Sequence, residues 1–452
     1  MADDEPTAGI ADRRDLAVRA AVEQGLVGGA DGADPLVCLL DAAGIEASAA
    51  ALHAAFAAAL PAGTPVLHTF AVKAAPLVAV LRLLSRAGLG CETASPGELA
   101  LARAAGVAPD RTVLDSPAKT TAELREALAL GIAVNADNAQ ELARIDALMA
   151  SAQSRSPLGL RVNPQIGAGS IGSTSTATAT SKFGFALRDE GARARVVAAY
   201  AERPWLTRLH THSGSQGVPL ALSARGVREL YELAEEINAA AGRQQVDTLD
   251  IGGGLPVNFG SDRETPTFAE YVEVLREAVP GLFAGRYGLV TEFGRALLAK
   301  HGLLVARVEY TKSSGTRPIA LTHAGVQVAT RTVYAPGSWP LRILAYDAKG
   351  RPRAGEPAVA QDVAGPACFA GDLLAENRPL PLLNPGDLVV APDTGAYFFT
   401  AHYGYNSLPR PAVHGFRLAP DGVRFTLVRP AQRLSDLVAE AGGNHADALL
   451  EP

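Results

Sequence analysis

The sequence predicts an α/β fold, a (β/α)8 TIM barrel, followed by a C-terminal antiparallel β-domain. Two observations carry this. From about residue 64 to 305 one pattern recurs: a short apolar strand, polar or glycine residues, then an alanine- and leucine-rich helix. Eight such units in series favour a closed barrel over an open sheet. After about residue 305 the pattern gives way to short β-like runs separated by glycine and proline turns.

Taken in order, PLVCLLD (35–41) has strand character but precedes the first barrel unit. It is expected to join the β-domain from an N-terminal segment of residues 1–45. The barrel, residues 46–305, uses the strands VLHTFAVK, GLGCETA, RTVLDS, IAVNAD, LGLRVNP, LTRLHTHS, DTLDIGG and GLVTEFG. Several following helices open with a cap and an acid three residues on, namely Ser95 with Glu98, Thr120 with Glu123 and Asn138 with Glu141. In each, the cap oxygen accepts an orphan backbone N–H while the acid reaches back. The stretch GAGSIGSTSTATATSK (167–182) lacks apolar periodicity and reads as a loop at the barrel mouth. Its GAGSIG matches GxGxxG, but a dinucleotide fingerprint needs a strand before it and a helix after it. The β-domain, 306–432, holds GLLVARVEYTK, RPIALTH, LRILAYD, GDLVVAPD and HGFRLAPDGVRFTLVR. Residues 433–452 read as a tail, a helix followed by disorder.

Composition bounds the function. With 452 residues, 48% of them hydrophobic, the chain can bury a large core. A formal charge of −6 argues against a nucleic-acid partner, because such binders concentrate basic charge. No run of about 18 apolar residues stands out, so no membrane span is expected. The opening MADDEPTAGIADRRD is charged and lacks an apolar signal core. Cys38, Cys91 and Cys368 make neither a disulfide framework nor a CxxC pair, which fits a reduced, cytoplasmic setting.

In such barrels the chemistry sits at the C-terminal strand ends, and several residues fall there. The first strand ends FAVKA, placing Lys73 where apolar neighbours could keep its amine reactive towards a carbonyl; a surface lysine is the plain alternative. The last strand ends TEFGR, placing Glu292 and Arg295 across the same mouth. A buried carboxylate there could hold a protonated ring nitrogen, although such a pair is often a simple salt bridge. In LDIGGGLP, Gly252, Gly253 and Gly254 let backbone N–H groups approach a phosphate, or merely make a turn. LHTHSGSQ puts His210 and His212 on one strand face, with Ser215 beyond them. These residues could meet a cofactor, start a metal-binding HxH, or fill the core. In the C-terminal part, Cys368 lies in a proline- and glycine-framed turn that could present a small acid, yet a lone cysteine is commonly a small hydrophobe. Tyr397, in DTGAY, could offer its hydroxyl to a phosphate or pack in the core.

Together and in this order the motifs resemble the fold-type III pyridoxal 5′-phosphate (PLP) decarboxylases, the diaminopimelate, ornithine and arginine decarboxylase family, related in fold to alanine racemase. FAVKA resembles the family's YAVKA, CETASPGEL its DVVSGGEL, SKFGF its SKFG, and HTHSGSQ its HFHIGSQ. DIGGGLP matches the glycine loop, EFGR the EPGR motif, PACFAGD the CESGD motif and DTGAY the DAGAY motif. The likeness spans about residues 35–415 and is nearest to the diaminopimelate branch. It implies that Lys73 holds PLP as a Schiff base, that His212 stacks on the pyridine ring, and that Glu292 pairs with the ring nitrogen. Ser215, Gly252 to Gly254, Arg295 and Tyr397 would surround the phosphate. Cys368 would protonate Cα and come from the partner of a homodimer with shared active sites. No metal is implied.

The departures fall at the substrate. Glu92 and Phe293 replace the aspartate and proline of two motifs, and THAG (322–325) replaces an acidic DGG-like sequence. Arg331 to Tyr334 only partly echoes the family's grip on a distal carboxylate. Phe369 stands where the family has an acid that contacts a distal amino group, with Asp372 closing the motif. A substrate pocket formed by Arg331, Tyr334, Phe369 and Asp372 is therefore expected to be rebuilt for a specialised amino acid of secondary or siderophore metabolism. Two rivals remain: an amino-acid racemase, disfavoured by Glu292 and Cys368, and a non-catalytic PLP-binding regulator. A metal hydrolase around His210 and His212 ranks last, because further His or Asp ligands at strand ends are not evident.

Overall fold

The computed structural model describes residues 9–28, 34–151 and 153–450. The first eight residues of the charged N-terminal stretch and the last two of the tail lie outside them. The chain forms two compact units: a barrel unit, Ile45–Asn258 with Arg263–Leu298, and a β-unit, Met1–Gly44, Phe259–Asp262 and Ala299–Pro452.

The barrel unit has eight strands: β1 Val66–Ala71, β2 Gly90–Thr93, β3 Thr112–Leu114, β4 Ala133–Ala136, β5 Leu158–Asn163, β6 Leu206–His210, β7 Thr248–Asp250 and β8 Gly288–Phe293. Each pairs in parallel with the next, and β8 closes on β1 with Glu292 level with Thr69. These are the strands expected from the sequence. A two-residue strand, Phe185–Ala186, pairs with β5 outside the ring.

The three anticipated caps form, with differences in where the acid goes. Thr120 and Glu123 make a complete box, at 3.2 and 2.7 Å. Ser95 accepts from the Glu98 amide, but Glu98 reaches one residue further back, to the Ala94 amide at 2.7 Å. Asn138 caps the Glu141 amide at 3.0 Å, while one Glu141 oxygen takes the buried ammonium of Lys119 at 2.6 Å and the other accepts from the Asp137 amide at 3.4 Å. The buried cation thereby has its counter-charge.

The helix Ala42–Ala59 corrects one expectation. By length and apolarity, with mean hydropathy 1.3 over 18 residues, it reaches the range of a membrane span. Alanine supplies that value. Its buried residues, Ile45, Ser48, Ala49, Leu52 and Phe56, form one helical stripe, as in a helix packed on a core.

The β-unit is a mixed sheet in which antiparallel pairs dominate. Leu36–Asp41 joins it, antiparallel to Gly302–Ser314 and parallel to Val413–Ala419. Arg317–Thr322 runs parallel to Ala358–Ala364. A parallel neighbour requires a crossover, and the helix Val326–Tyr334 lies within the connection between those two strands. Leu373–Pro381 is an edge strand, where Pro379 and Pro381 need donate nothing to a ladder. Val37, Leu39, Leu303, Val305, Tyr346, Leu388, Val390 and Phe416 make its core with Ala17 and Val18 of the helix Ile10–Glu23. The tail contains a helix, Leu434–Glu440.

Candidate active site

The glycine run that follows β7 is shaped by crowding. Gly252 and Gly254 hold φ of +66° and +96°, which L side chains rarely adopt. A Cβ on Gly253 would strike the Glu292 carbonyl, and one on Gly254 the Gly214 carbonyl. The backbone is therefore laid bare against β8 on one side and the loop after β6 on the other. That loop is fixed by the 167–182 segment, where Ser215 N donates to Thr174 O at 3.0 Å and Ser175 bridges Gly214. Ser215 thus stands beside Gly254, with its Cα 3.5 Å from where a Cβ would be.

His212 receives a hydrogen bond from the Gly253 amide on Nδ1 at 3.1 Å. Burial pushes its pKa well below the usual histidine range, and the positive charges of Arg161 and Lys73 add to this. The ring is neutral, flat and protonated on Nε2. Lys73 follows β1 in a single 3-10 turn, and its Nζ lies 2.5 Å from Glu92 Oε2 at the end of β2. Glu92 is 2% exposed against 44% for the Lys73 side chain, so the buried carboxylate fixes the tip of a reachable amine.

Behind these groups lies a sealed cluster. Asp115, His210, Asp250 and Glu292 come from β8 and the ends of β3, β6 and β7, with one donor atom of each within 4.8 Å of all the others. His210 presents Nδ1 to Asp115 and Nε2 to Glu292, each at 3.6 Å. Burial raises the Glu292 carboxyl well above the carboxylate range, and the negative charges of Asp250 and Asp115 raise it further. Burial likewise raises Asp250, although Arg208 stands 3.7 Å away. Burial alone would also raise Asp115, but His210, Glu292, Lys119 and Arg161 outweigh it and hold that carboxyl below its ordinary value. Glu292 Oε1 has no hydrogen-bond partner among the described residues.

The expectation that no further acids gather at strand ends is therefore corrected by Asp115 and Asp250. The two histidines nonetheless do not act as an HxH pair, since His212 Nδ1 is taken by Gly253 and His210 faces the acids. Arg295, 4% exposed, opens the short helix after Gly294. Asp115 and Asp250 were not singled out by the sequence reading, and Glu92 was named only as a departure from a motif. Their one signal was an acid at or next to the end of a barrel strand.

The barrel unit thus brings together Lys73, His212, Ser215, Gly252, Gly253, Gly254, Glu292 and Arg295. The remaining predicted residues belong to the β-unit. Cys368 is exposed and its amide donates to Asn406 Oδ1 at 2.7 Å. Tyr397 has φ +64° and lies under the Arg331 guanidinium, 4.6 Å from the ring centroid. Arg331 also lies over Trp339 at 4.9 Å. Asp372 is buried, and its oxygens accept from the Val326 and Ala367 amides at 2.6 and 2.7 Å, capping the helix that carries Arg331 and Tyr334. Phe369 stacks on Tyr334 at 5.7 Å and 12°.

A neutral imidazole, a buried carboxylate oxygen without a partner among the described residues and a glycine run beside Ser215 would suit a flat ring, its nitrogen and a phosphate, with Lys73 to supply an amine. Pyridoxal 5′-phosphate has all three parts, and the barrel is that of a PLP enzyme. Residues 46–299 match the model of the pyridoxal-dependent decarboxylases, pyridoxal binding domain. The chain is 32% identical to diaminopimelate decarboxylase of Pseudomonas aeruginosa over 391 residues, 86% of this chain and 89% of that one. It is 30% identical to the Zymomonas mobilis enzyme of the same name over 379 residues, 83% and 85%. The crystal structure of Helicobacter pylori diaminopimelate decarboxylase (I148L mutant) with L-lysine shares the fold, with TM-score 0.79 and 24% identity over 91% of this chain and 98% of that one. The chain belongs to the pyridoxal-dependent decarboxylase family. It is a PLP-dependent carboxy-lyase acting on an amino acid.

Proposed function

We propose that the substrate is a specialised amino acid whose distal end bears no ammonium group, and that diaminopimelate and ornithine are poor substrates. The observation that carries this is the Phe369 surroundings. Phe369 stacks on Tyr334 and meets Tyr405 edge-on at 5.4 Å, and Tyr403 lies beside both tyrosines at 6.0 and 6.1 Å. The nearby acid in the same loop, Asp372, already has its oxygens engaged by backbone amides. An ammonium brought there would find no free carboxylate in this loop, because Asp372 is committed to backbone amides. The aromatic faces offer stacking to a flat, uncharged group. Secondary or siderophore metabolism is a setting in which such amino acids arise.

In this reading Lys73 would hold the cofactor, His212 would lie against its ring, and Glu292 would face its nitrogen. Gly252 to Gly254, with Ser215 and Arg295, would surround the phosphate, while the Gly252 and Gly253 amides stay with Asp250 and His212. The cofactor supplies an electron sink for the pair left at Cα when CO2 departs. Glu92 steadies the Lys73 amine, and the buried Asp115–His210–Glu292 row keeps water from the ring-nitrogen position. Cys368 Sγ would return the proton to Cα, and its exposure supports supply from a second copy of the chain in a homodimer. The free cysteines support a cytoplasmic setting.

The test is CO2 release by the PLP-loaded chain offered meso-diaminopimelate, ornithine, lysine, and acylated and aryl-tailed amino acids, with chiral chromatography alongside. Release at least about ten-fold more efficient for an uncharged tail is expected, from roughly 1.4 kcal/mol of preference. Equal use of diaminopimelate would remove the substrate assignment, and inversion without gas would restore the racemase reading. Mixing inactive Lys73→Ala and Cys368→Ala chains should restore about a quarter of wild-type turnover if sites are shared across a two-fold dimer. No restoration would place each site within one chain.

A further inference from the structure

Cofactor chemistry assigns Glu292 to the ring nitrogen, but it gives no role to the groups behind it. His210 is fully buried and touches no surface. Its two nitrogens face two carboxylates from opposite sides, Asp115 Oδ1 and Glu292 Oε2, each at 3.6 Å. Three acids and one imidazole share this sealed space, a poor arrangement for packing alone, since buried acids cost free energy that apolar side chains would not. Both Asp115 oxygens and both His210 nitrogens lack hydrogen-bond partners among the described residues, as does Glu292 Oε1. The row therefore keeps hydrogen-bonding capacity unspent at the Asp115 end and at the Glu292 end. Glu292 turns Oε2 to the histidine and leaves Oε1 for something that can donate.

We propose that His210 is a positioning residue for ring-nitrogen recognition: backed by Asp115, it fixes the Glu292 carboxyl so that Oε1 meets the nitrogen of the pyridine ring. His210 itself does not touch the cofactor. Its imidazole faces Oε2 of Glu292 at 3.6 Å and thereby holds the carboxyl in the rotamer that leaves Oε1 without a partner among the described residues. Asp115 holds the imidazole as Glu292 is held, by charge and orientation. Burial, followed by the negative neighbours Asp250 and Asp115, already makes Glu292 reluctant to ionise, so its partnership with a ring N–H depends on this support more than an exposed carboxylate would.

The experiment compares two ligands binding to the apo-chain, PLP and its analogue with a C–H in place of the ring nitrogen, by absorbance titration. The analogue keeps the aldehyde and the phosphate and loses only the feature that Glu292 reads. The wild-type chain should bind PLP about ten-fold or more tighter than the analogue, the order of a charge-assisted hydrogen bond. His210→Phe and Asp115→Asn should each bring that ratio to within about three-fold while leaving analogue affinity unchanged, the loss of roughly one such interaction. Asp115→Asn keeps the side-chain shape and decides alone if the phenylalanine variant does not fold. A variant that retains the wild-type ratio, or that weakens both ligands together, overturns the assignment and leaves His210 as packing. A wild-type ratio near one does the same.

Discussion

The amide of Gly253 donates to Nδ1 of His212 at 3.1 Å, which joins the glycine run after β7 to the loop after β6. The bond exists only while Nδ1 is unprotonated, and burial, with Arg161 and Lys73, keeps the pKa low. An unfolded histidine titrates near 6.5. Below that pH the unfolded chain binds a proton that folded His212 refuses, so stability falls as pH drops through about 6.5. The apo His212→Phe variant should be less stable at pH 7.5 by about 1 kcal/mol. Its Tm should nevertheless fall less than that of the wild type between pH 7.5 and 5, by differential scanning fluorimetry. Parallel Tm curves would show that His212 does not titrate this way.

Glu292 has the opposite sign. Its folded carboxyl holds a proton more tightly than the unfolded one, which titrates near 4.3. Stability contributed by the protonated form is present below that value and lost as pH rises towards the raised folded value. The apo Glu292→Gln variant, which cannot ionise, should therefore match the wild type near pH 4.5 and exceed its Tm at pH 8. The same substitution should lower kcat for CO2 release by about 10²–10³-fold, as for loss of one preorganised electrostatic contact. Equal Tm values at pH 8 would contradict the charge assignment.

Gly254 combines φ of +96° with the Gly214 carbonyl where a Cβ would go. Gly254→Ala should cost about 2 kcal/mol or more from backbone conformation and displacement together. It should also weaken PLP binding at least about ten-fold, since 1.4 kcal/mol suffices. Calorimetry and cofactor titration read the two effects separately. An alanine variant with wild-type Tm would mean that the loop yields easily.

On the proposed reading of the substrate, Phe369→Glu would place an acid beside Cys368. The ratio of kcat/KM for diaminopimelate to that for an uncharged-tail substrate should rise at least about ten-fold, the worth of one charged contact. An unchanged ratio would show that residue 369 does not read the distal group.

The barrel was legible because each strand is a short apolar run that ends in polar or glycine residues, and the helices carry their own caps. Lys73, Glu292, His212 and the glycines were visible because their residue types are unusual at strand ends. Asp115 and Asp250 were not, since an acid after TVL or TL is an ordinary strand terminus until closure of the ring brings β3, β6, β7 and β8 to one point. Such convergence across the ring leaves no spacing in the chain. Ala358–Ala364 and Leu373–Pro381 also went unread, because exposed Ala-Val-Ala and two prolines dilute the alternation that marks a strand. The helix Val326–Tyr334 was missed for a related reason: its cap is Asp372, distant in sequence, rather than a residue of its own first turn.

That distant cap has an evolutionary corollary. The loop bearing Cys368 is anchored at its far end, by the Asp372 carboxylate and by close approach to Gly325 and Gly365, whereas the Phe369 side chain lends its ring to the aromatic neighbours. Scaffold and selector are carried by separate atoms of one short segment. New preferences could then arise by exchanging a single side chain, without retraining the nucleus that keeps the thiol in place.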